Sequence, residues 1–367
     1  MLKILSVFGT RPEATKMVPL VLAMQAHPQI ESKVCVTAQH RELLDQVLTP
    51  FNITPDYDLN IMSIGQTLTD ITTRVLQGLA PILADAKPDI LLVHGDTTTT
   101  FAASLAAFYA RVSVGHVEAG LRSYDKYRPF PEEINRKLTT AIADLYFAPT
   151  EQSRENLLKE NTPAKAIYVT GNTAIDLIKY TVKDGYKFEN EALNNLDSTK
   201  RIILMTAHRM ENRGKPMENI CNAVKRLVAD NPDVQLVWPV HPGLAVKEPA
   251  YAILGGQERV LLTEPLGVFD MHNLMKRTHL LLTDSGGLQE ESPSFDLPTV
   301  VLREVTERPE GLAAGTLVLA GVNEDNIYNE ATRLLTDQEA YATMAAVPNP
   351  FGDGKASERI IESIINR

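Results

Sequence analysis

Chemistry-bearing side chains in this chain gather directly behind short apolar runs, at the points where a buried strand would release the backbone into a turn. Behind residues 3–8 stands Gly9-Thr10-Arg11-Pro12-Glu13-Ala14-Thr15-Lys16. Its glycine suits a tight turn and its proline an early helical position. Arg11 and Lys16 are placed to meet an anion, although two solvated surface charges would read the same way in isolation. Behind residues 90–94 comes Gly95-Asp96-Thr97-Thr98-Thr99-Thr100, where Asp96 either caps the following helix or presents a carboxylate. His116-Val117-Glu118-Ala119-Gly120-Leu121-Arg122 sets a carboxylate in a small-residue turn, and Pro129-Phe130-Pro131-Glu132-Glu133 opens a helix with two more. Arg136 and Lys137 lie four residues on, so one of these glutamates reads as functional and the other as half of a surface ion pair. In the second half, Thr206-Ala207-His208-Arg209 puts an imidazole at a strand end, suited to proton transfer or a phosphate contact, and Pro239-Val240-His241-Pro242 repeats the arrangement.

The stretch Asp284-Ser285-Gly286-Gly287-Leu288-Gln289-Glu290-Glu291 reads as a turn behind the apolar run 279–283, followed by a helix with an acidic pair in its first turn. Two glycines allow backbone N–H groups to approach a ligand, and a helix start favours an anion. Carboxylates one turn further on suit hydroxyls such as those of a ribose. This stretch is the candidate seat for a nucleoside diphosphate. Neither the G-x-G-x-x-G dinucleotide fingerprint nor a G-x-x-x-x-G-K-[ST] phosphate loop occurs anywhere in the chain.

The elements that must position these residues follow a regular rhythm. Strand candidates span residues 3–8, 33–37, 90–94, 113–116, 145–148 and 167–170, with helices predicted over 13–25, 68–84, 98–109 and 132–143. The pattern restarts with strands at 201–206, 234–239, 259–262, 279–283 and 299–302, and with helices from Pro216, Val246, Val268, Gly287 and Glu324. Apolar strands without polar alternation, separated by helices, indicate parallel sheets covered on both faces. The expected fold class is therefore α/β: two Rossmann-like, doubly wound domains facing each other across a cleft. Residues 184–200 are polar and weakly periodic, which suggests a linker or surface loop. The expected divisions are residues 1–172, 173–350 and a last segment, 351–367, whose helix follows a chain-redirecting Pro348-Asn349-Pro350-Phe351-Gly352-Asp353-Gly354.

Composition narrows the classes. A length of 367 residues suits two domains, and 44% hydrophobic with 22% charged residues is ordinary for a globular protein. A net charge of −10 argues against nucleic-acid or anionic-membrane partners, but not against a small anionic ligand met by a few arginines. The apolar start, Met1 to Phe8, is too short for a leader and reads as a first strand. Cys35 and Cys221 sit in apolar patterns and read as buried free thiols of a reducing compartment, the cytoplasm. No Cys/His cluster has metal-ligand spacing.

Taken together, these segments resemble one family, the non-hydrolysing UDP-N-acetylglucosamine 2-epimerases of bacteria. The matching pieces are Phe8-Gly-Thr-Arg-Pro-Glu-Ala, Ala38-Gln-His-Arg-Glu, His94-Gly-Asp-Thr-Thr-Thr-Thr, Gly115-His-Val-Glu-Ala-Gly-Leu-Arg and Pro129-Phe-Pro-Glu-Glu. They continue with Gly171-Asn-Thr, Ala207-His-Arg, Thr283-Asp-Ser-Gly-Gly, Thr306-Glu-Arg-Pro-Glu and Asn349-Pro-Phe-Gly-Asp-Gly. The resemblance implies a fold similar to the GT-B glycosyltransferases, with the final helix crossing back onto the N-terminal domain. It implies interconversion of UDP-N-acetylglucosamine and UDP-N-acetylmannosamine, feeding surface-polysaccharide synthesis, with no nicotinamide and no metal. UDP is eliminated to leave 2-acetamidoglucal, then re-added after protonation of C2 on the other face.

By the same resemblance, Asp96, Glu118 and Glu132 map onto the family's catalytic carboxylates and His208 onto its catalytic histidine. Arg11, Lys16, His208, Ser285, Gly286 and Gly287 are implied around the diphosphate, Glu291 at the ribose, and a homodimer as the assembly. A regulatory second-substrate site in some members corresponds to Gln39, Glu42, Arg209 and His241 here, with Glu42 where some carry Gln and Gly65 where some carry Arg. The alternatives are a hydrolysing relative that releases UDP and N-acetylmannosamine, a GT-B glycosyltransferase and a catalytically dead nucleotide-sugar sensor. The glycosyltransferase would not require three carboxylates at successive strand ends, and the intact set of Asp96, Glu118, Glu132 and His208 speaks against the sensor.

Overall fold

The computed structural model describes every residue except Gln39, His40 and Ile64, and the side chains of Arg41, Glu42 and Leu43. The chain forms two compact units, Met1–Leu177 together with Gly352–Arg367, and Ile178–Phe351. Among the described residues the first holds seven parallel strands: β1 (Leu2–Phe8), β2 (Ile30–Val36), β3 (Tyr57–Asp58), β4 (Ile90–His94), β5 (Ser113–Val117), β6 (Leu145–Ala148) and β7 (Ile167–Val169), in the order β3-β2-β1-β4-β5-β6-β7. The second holds six: β8 (Arg201–Thr206), β9 (Val234–Pro239), β10 (Val260–Thr263), β11 (Thr278–Thr283), β12 (Thr299–Val301) and β13 (Leu317–Leu319), in the order β10-β9-β8-β11-β12-β13. Both units are thus Rossmann-like α/β folds, as the strand-helix alternation predicts.

Sequence and burial agree on why these strands form. All five residues of β4, Ile-Leu-Leu-Val-His, are buried, as required of a central strand covered on both faces. The helix Thr98–Tyr109 behind it buries Ala102, Ala103, Ser104, Ala106 and Ala107, small side chains that let the helix lie close to the sheet. Its first turn is closed by Thr97, whose hydroxyl accepts from the Thr100 N–H at 3.1 Å. In the second unit, Trp238 of β9 is fully buried in a cluster with Met205, Leu236, Leu280 and Leu282.

Sheet order decides where ligands can bind. In an open α/β sheet the crevice lies beyond the carboxyl ends of the strands, where the strand order reverses. That point falls between β1 and β4 in the first unit and between β8 and β11 in the second. The segments directly behind these four strands carry Arg11 and Lys16, Asp96, His208, and Asp284 to Gly287.

Three features differ from expectation. The short edge strands β3 and β13 are additional, two and three residues long. The polar stretch 184–200 is neither linker nor loose loop. It buries Phe188 and Leu193 and is pinned by Asp270, whose carboxylate accepts from the Tyr186 hydroxyl and the Glu189 and Asn190 N–H groups, each at 2.9 Å. The chain enters the second unit instead within the helix Thr173–Thr181.

The final helix, Ala356–Ile365, belongs to the first unit and packs against the helix Arg11–Gln25. Its N-terminal N–H groups are met by Asp176, a buried carboxylate from a different helix that accepts from Ala356 at 3.1 Å and Ser357 at 2.8 Å. Removing a buried acceptor leaves both donors unsatisfied at a cost of about 1–3 kcal/mol. Asp176→Ala is therefore expected to speed hydrogen exchange selectively across residues 356–365. Unchanged protection there would show that side-chain packing alone holds the helix.

Candidate active site

Glu13 lies one turn into the helix Arg11–Gln25, behind β1, and it is buried. Its Oε2 accepts from the Gly9 N–H (3.0 Å), the Thr10 N–H (2.8 Å) and the Thr10 hydroxyl (2.8 Å). Its Oε1 accepts from the hydroxyls of Thr97 (2.7 Å) and Thr100 (3.2 Å), in the loop and helix behind β4. Burial pushes this carboxyl up from its ordinary value, against the pull of the hydrogen bonds. The carboxylate thus fastens the loop of Arg11 to the loop of Asp96. Gly9 has a different role from the predicted tight turn. A Cβ there would lie 1.8 Å from Thr37 Oγ1, so the glycine permits close packing.

Asp96 follows β4 and is ion-paired with Arg136, at 2.9 Å from Nε and 2.6 Å from Nη2. Arg136 also reaches Glu133 at 3.2 Å. Glu133 is not the surface residue that its spacing to Arg136 and Lys137 predicts. It is fully buried and accepts from the Ser123 (2.9 Å) and Tyr124 (3.0 Å) N–H groups. Although burial raises its carboxyl, these hydrogen bonds and Arg136 bring it below the ordinary range. Glu132, beside it at the start of the helix Glu132–Ile142, has an Oε2 that is buried and meets no hydrogen-bonding partner among the described residues. Of the two adjacent glutamates, then, Glu133 holds the loop and Glu132 keeps an oxygen uncommitted.

Glu118 follows β5 with a left-handed backbone, φ +63°, a conformation that costs a non-glycine residue of order 1–3 kcal/mol and tends to occur at functional sites. Its carboxylate is ion-paired with Lys16 and accepts from Asn172 Nδ2 at 3.3 Å. His94 Nε2 stands 3.8 Å away. Burial holds the His94 imidazole down to about 4, so at neutral pH this is a neutral ring beside a carboxylate. A Cβ on Gly95 would lie 3.7 Å from Glu118 Oε1, which places the Asp96 loop against Glu118. His116, also buried and held at about 4, supports that loop through Nε2 to the Gly95 carbonyl oxygen at 2.7 Å.

In the second unit the organising group is Asp284. It is fully buried, and its Oδ2 accepts from the N–H groups of His208 and Arg209, each at 2.8 Å, and from Asn212 Nδ2 at 2.9 Å. Its Oδ1 lies 3.0 Å from His208 Nδ1, so the ring is oriented with Nε2 outward on a side chain that is 42% exposed. Ser285 starts the helix Gly286–Glu291, and the glycines are its first residues instead of a preceding turn. The acidic pair accordingly ends the helix and is not in its first turn. A Cβ on Gly286 would meet Arg308 Nη2 at 3.2 Å and Arg209 Nη2 at 3.8 Å, so two guanidinium groups stand over this residue. One of them is Arg209, which the resemblance placed at the second-substrate site. His241 stacks on His208 with ring centroids 6.2 Å apart. Gln39 and the side chain of Glu42 lie outside the described residues.

The family model for UDP-N-acetylglucosamine 2-epimerase matches residues 22–365. The chain belongs to the UDP-N-acetylglucosamine 2-epimerase family. It is 57% identical to the UDP-N-acetylglucosamine 2-epimerase of Bacillus subtilis over 364 residues, covering 99% of this chain and 95% of the relative. Among solved structures, that of UDP-GlcNAc 2-epimerase from Neisseria meningitidis bound to UDP-GlcNAc has a TM-score of 0.90 at 47% identity, with full coverage of both chains. S. aureus MnaA in complex with UDP has a TM-score of 0.87 at 53% identity, covering 100% of this chain and 96% of that one.

Within this epimerase fold, Asp96, Glu118, Lys16 and the start of the Glu132 helix belong to one linked set of contacts in the first unit. His208, Ser285 and Gly286 gather around Asp284 and two arginines in the second. Arg11 is an exposed residue at the helix start. Residues whose part sequence reasoning missed are Glu13, His94, Asn172, Arg136, Asp284 and Arg308. Only their place in motifs could have signalled them, because each acts by contact across a long chain separation.

Although burial raises the Asp284 carboxyl, its hydrogen bonds from His208 and Arg209 hold it below the ordinary value. A depressed carboxyl contributes stability that is present above the unfolded value, near 3.9, and is lost as pH falls through the folded one. Asp284→Asn is expected to cost the second unit about 1–3 kcal/mol at pH 7 and visibly less at pH 3. Urea unfolding followed by fluorescence of Trp238, the single tryptophan, reports this. Equal losses at both pH values would remove the linkage.

Proposed function

We propose that this protein interconverts UDP-N-acetylglucosamine and UDP-N-acetylmannosamine without net hydrolysis, in the cytoplasm, to supply surface-polysaccharide synthesis. Family membership supports the 2-epimerase activity. The observation that carries the mechanism is Glu118, in its left-handed backbone between Lys16 and Asn172, with the Asp96 loop against it at Gly95 and Arg136 joining Asp96 to the helix that Glu132 starts. Proton removal at C2 of a sugar needs a positioned base, and return of a proton on the opposite face needs an acid.

One carboxylate takes the C2 proton as the C1–O bond breaks, and the bonding pair leaves with UDP. The resulting 2-acetamidoglucal is protonated at C2 from the other face while a diphosphate oxygen re-forms the bond to C1. UDP must be held through this interval, and charge on the departing diphosphate calls for fixed cations and donors. In this reading, His208, Ser285, Gly286, Gly287 and Arg308 grip the diphosphate, and Glu291 takes the ribose. Lys16, paired with Glu118, supports that carboxylate. No step requires a nicotinamide or a metal. The proposed division of labour gives the carboxylate chemistry to the first unit and UDP to the second, in a homodimer.

Incubation with UDP-N-acetylglucosamine in deuterium oxide, followed by NMR, tests the reaction. Deuterium is expected at C2 of both epimers with UDP-sugar retained. Stoichiometric UDP and free N-acetylmannosamine would mean hydrolysis, and absence of exchange would remove the epimerase mechanism. Asp96→Asn, Glu118→Gln and Glu132→Gln are each expected to lower turnover by about 10²-fold or more while UDP still binds. Near-normal turnover of Glu132→Gln would take the role from that residue.

A further inference from the structure

A buried histidine in the second unit has no part in the chemistry above, yet it touches the carboxylate assigned to the ribose. His272 lies on the helix Val268–Met275 and is 1% exposed. Its Nε2 stands 3.3 Å from Glu291 Oε2, and its Nδ1 stands 2.7 Å from the Thr181 hydroxyl. The ring packs against Phe295, centroids 5.9 Å apart, just beyond Glu291. The next residue secures the same partner from the other side, because Asn273 Nδ2 donates to the Thr181 carbonyl oxygen at 2.8 Å. Asn273 Oδ1 in turn accepts from the Lys183 N–H at 3.0 Å.

An ionised carboxylate only accepts hydrogen bonds, so Nε2 must be the donor in the His272–Glu291 contact. With Thr181 on Nδ1 and Phe295 against its ring, the imidazole is oriented at both ends. Glu291 ends the six-residue helix Gly286–Glu291, and the His272 contact reaches its carboxylate from a different helix. Its side chain remains 12% exposed, so Glu291 is not sealed from solvent. Two adjacent hydroxyls presented to such a carboxylate can both donate to it.

We infer that His272, with Thr181 behind it, is the positioning residue for ribose selection: it holds Glu291 so that the carboxylate takes the sugar hydroxyls of the nucleotide and discriminates against a 2′-deoxy nucleotide. This inference rests on the reading that Glu291 binds the ribose. His272 touches neither the diphosphate nor the reacting carbons, so its loss acts on affinity and leaves turnover largely in place.

Calorimetric titration with UDP and with 2′-deoxy-UDP separates the inference from the reading beneath it. The wild-type protein is expected to prefer UDP by about tenfold or more, as for a hydrogen bond to a charged group, and Glu291→Gln to lose that preference. His272→Phe is expected to lower UDP affinity by about tenfold while 2′-deoxy-UDP binds nearly as before, so the preference collapses toward unity. Thr181→Val, which keeps the volume and removes the hydroxyl, is expected to erode the preference in the same direction by a few fold. In turnover, His272→Phe raises KM with kcat within a few fold.

A wild-type protein indifferent to the 2′-hydroxyl would overturn the ribose reading and this inference with it. A preference that is lost in Glu291→Gln but intact in His272→Phe would overturn the inference alone. Equal weakening of both nucleotides in His272→Phe would do the same, showing a packing role only. If His272→Phe does not fold, Thr181→Val and His272→Gln decide: full preference retained in both overturns the inference, and erosion in either supports it.

Discussion

At the switch point of each sheet, one buried carboxylate ties together the two loops on which the chemistry depends. Glu13 belongs to the segment behind β1 and collects the hydroxyls of Thr97 and Thr100 behind β4. Asp284 follows β11 and collects the backbone of His208 and Arg209 behind β8. A carboxylate removed from water costs several kcal/mol unless its lone pairs are met, so each group is tolerable only with its full set of donors in place. The reverse also holds: donors that depend on one acceptor are not free to wander. Arg11, Asp96, His208 and the guanidinium of Arg209 thus inherit their placement from two residues that need touch no substrate.

The outward-facing groups repeat the theme of divided labour among similar residues. Glu132 and Glu133 are neighbours in sequence, yet Glu133 spends its oxygens on Ser123, Tyr124 and Arg136, and Glu132 does not. Arg136 stands between Glu133 and Asp96, so the residue that stiffens the loop shares one cation with the carboxylate behind β4. Glu118 meets a cation in Lys16 and a neutral ring in His94, which burial keeps unprotonated. The carboxylates of Asp96, Glu118 and Glu132 therefore have distinct electrostatic settings.

The central strands and the long helices were legible because burial on both faces leaves an unbroken apolar signature, as in β4, and because Thr97 marks a helix start. What was not legible depends on contacts distant in sequence. β3 is an edge strand of two residues, below the length at which a pattern can show. The stretch 184–200 looks like solvent-facing chain because its anchor, Asp270, lies some eighty residues away. Glu133 looked like an exposed helix residue because its partners are backbone N–H groups of another loop. Gly286 reads as a turn in the sequence, whereas it opens a helix with the Arg308 guanidinium close over the place of its missing Cβ. The chemistry-bearing segments themselves were visible, since strand ends can be found from apolar runs alone.

The Asp176 contact to the final helix has a consequence for how the molecule comes into being. The first unit comprises residues 1–177 and then 352–367, with the whole of the second unit inserted between them. On the ribosome, where domains form as the chain emerges from its N-terminus, the first unit is made almost completely and must then wait. Its face along the helix Arg11–Gln25 and the acceptor Asp176 lack their cover while all 174 residues of the second unit are synthesised, because the covering helix begins only at Ala356. The order of synthesis thus makes completion of the first unit report that the second has been made in full, and a chain that stalls in between leaves an uncovered apolar surface.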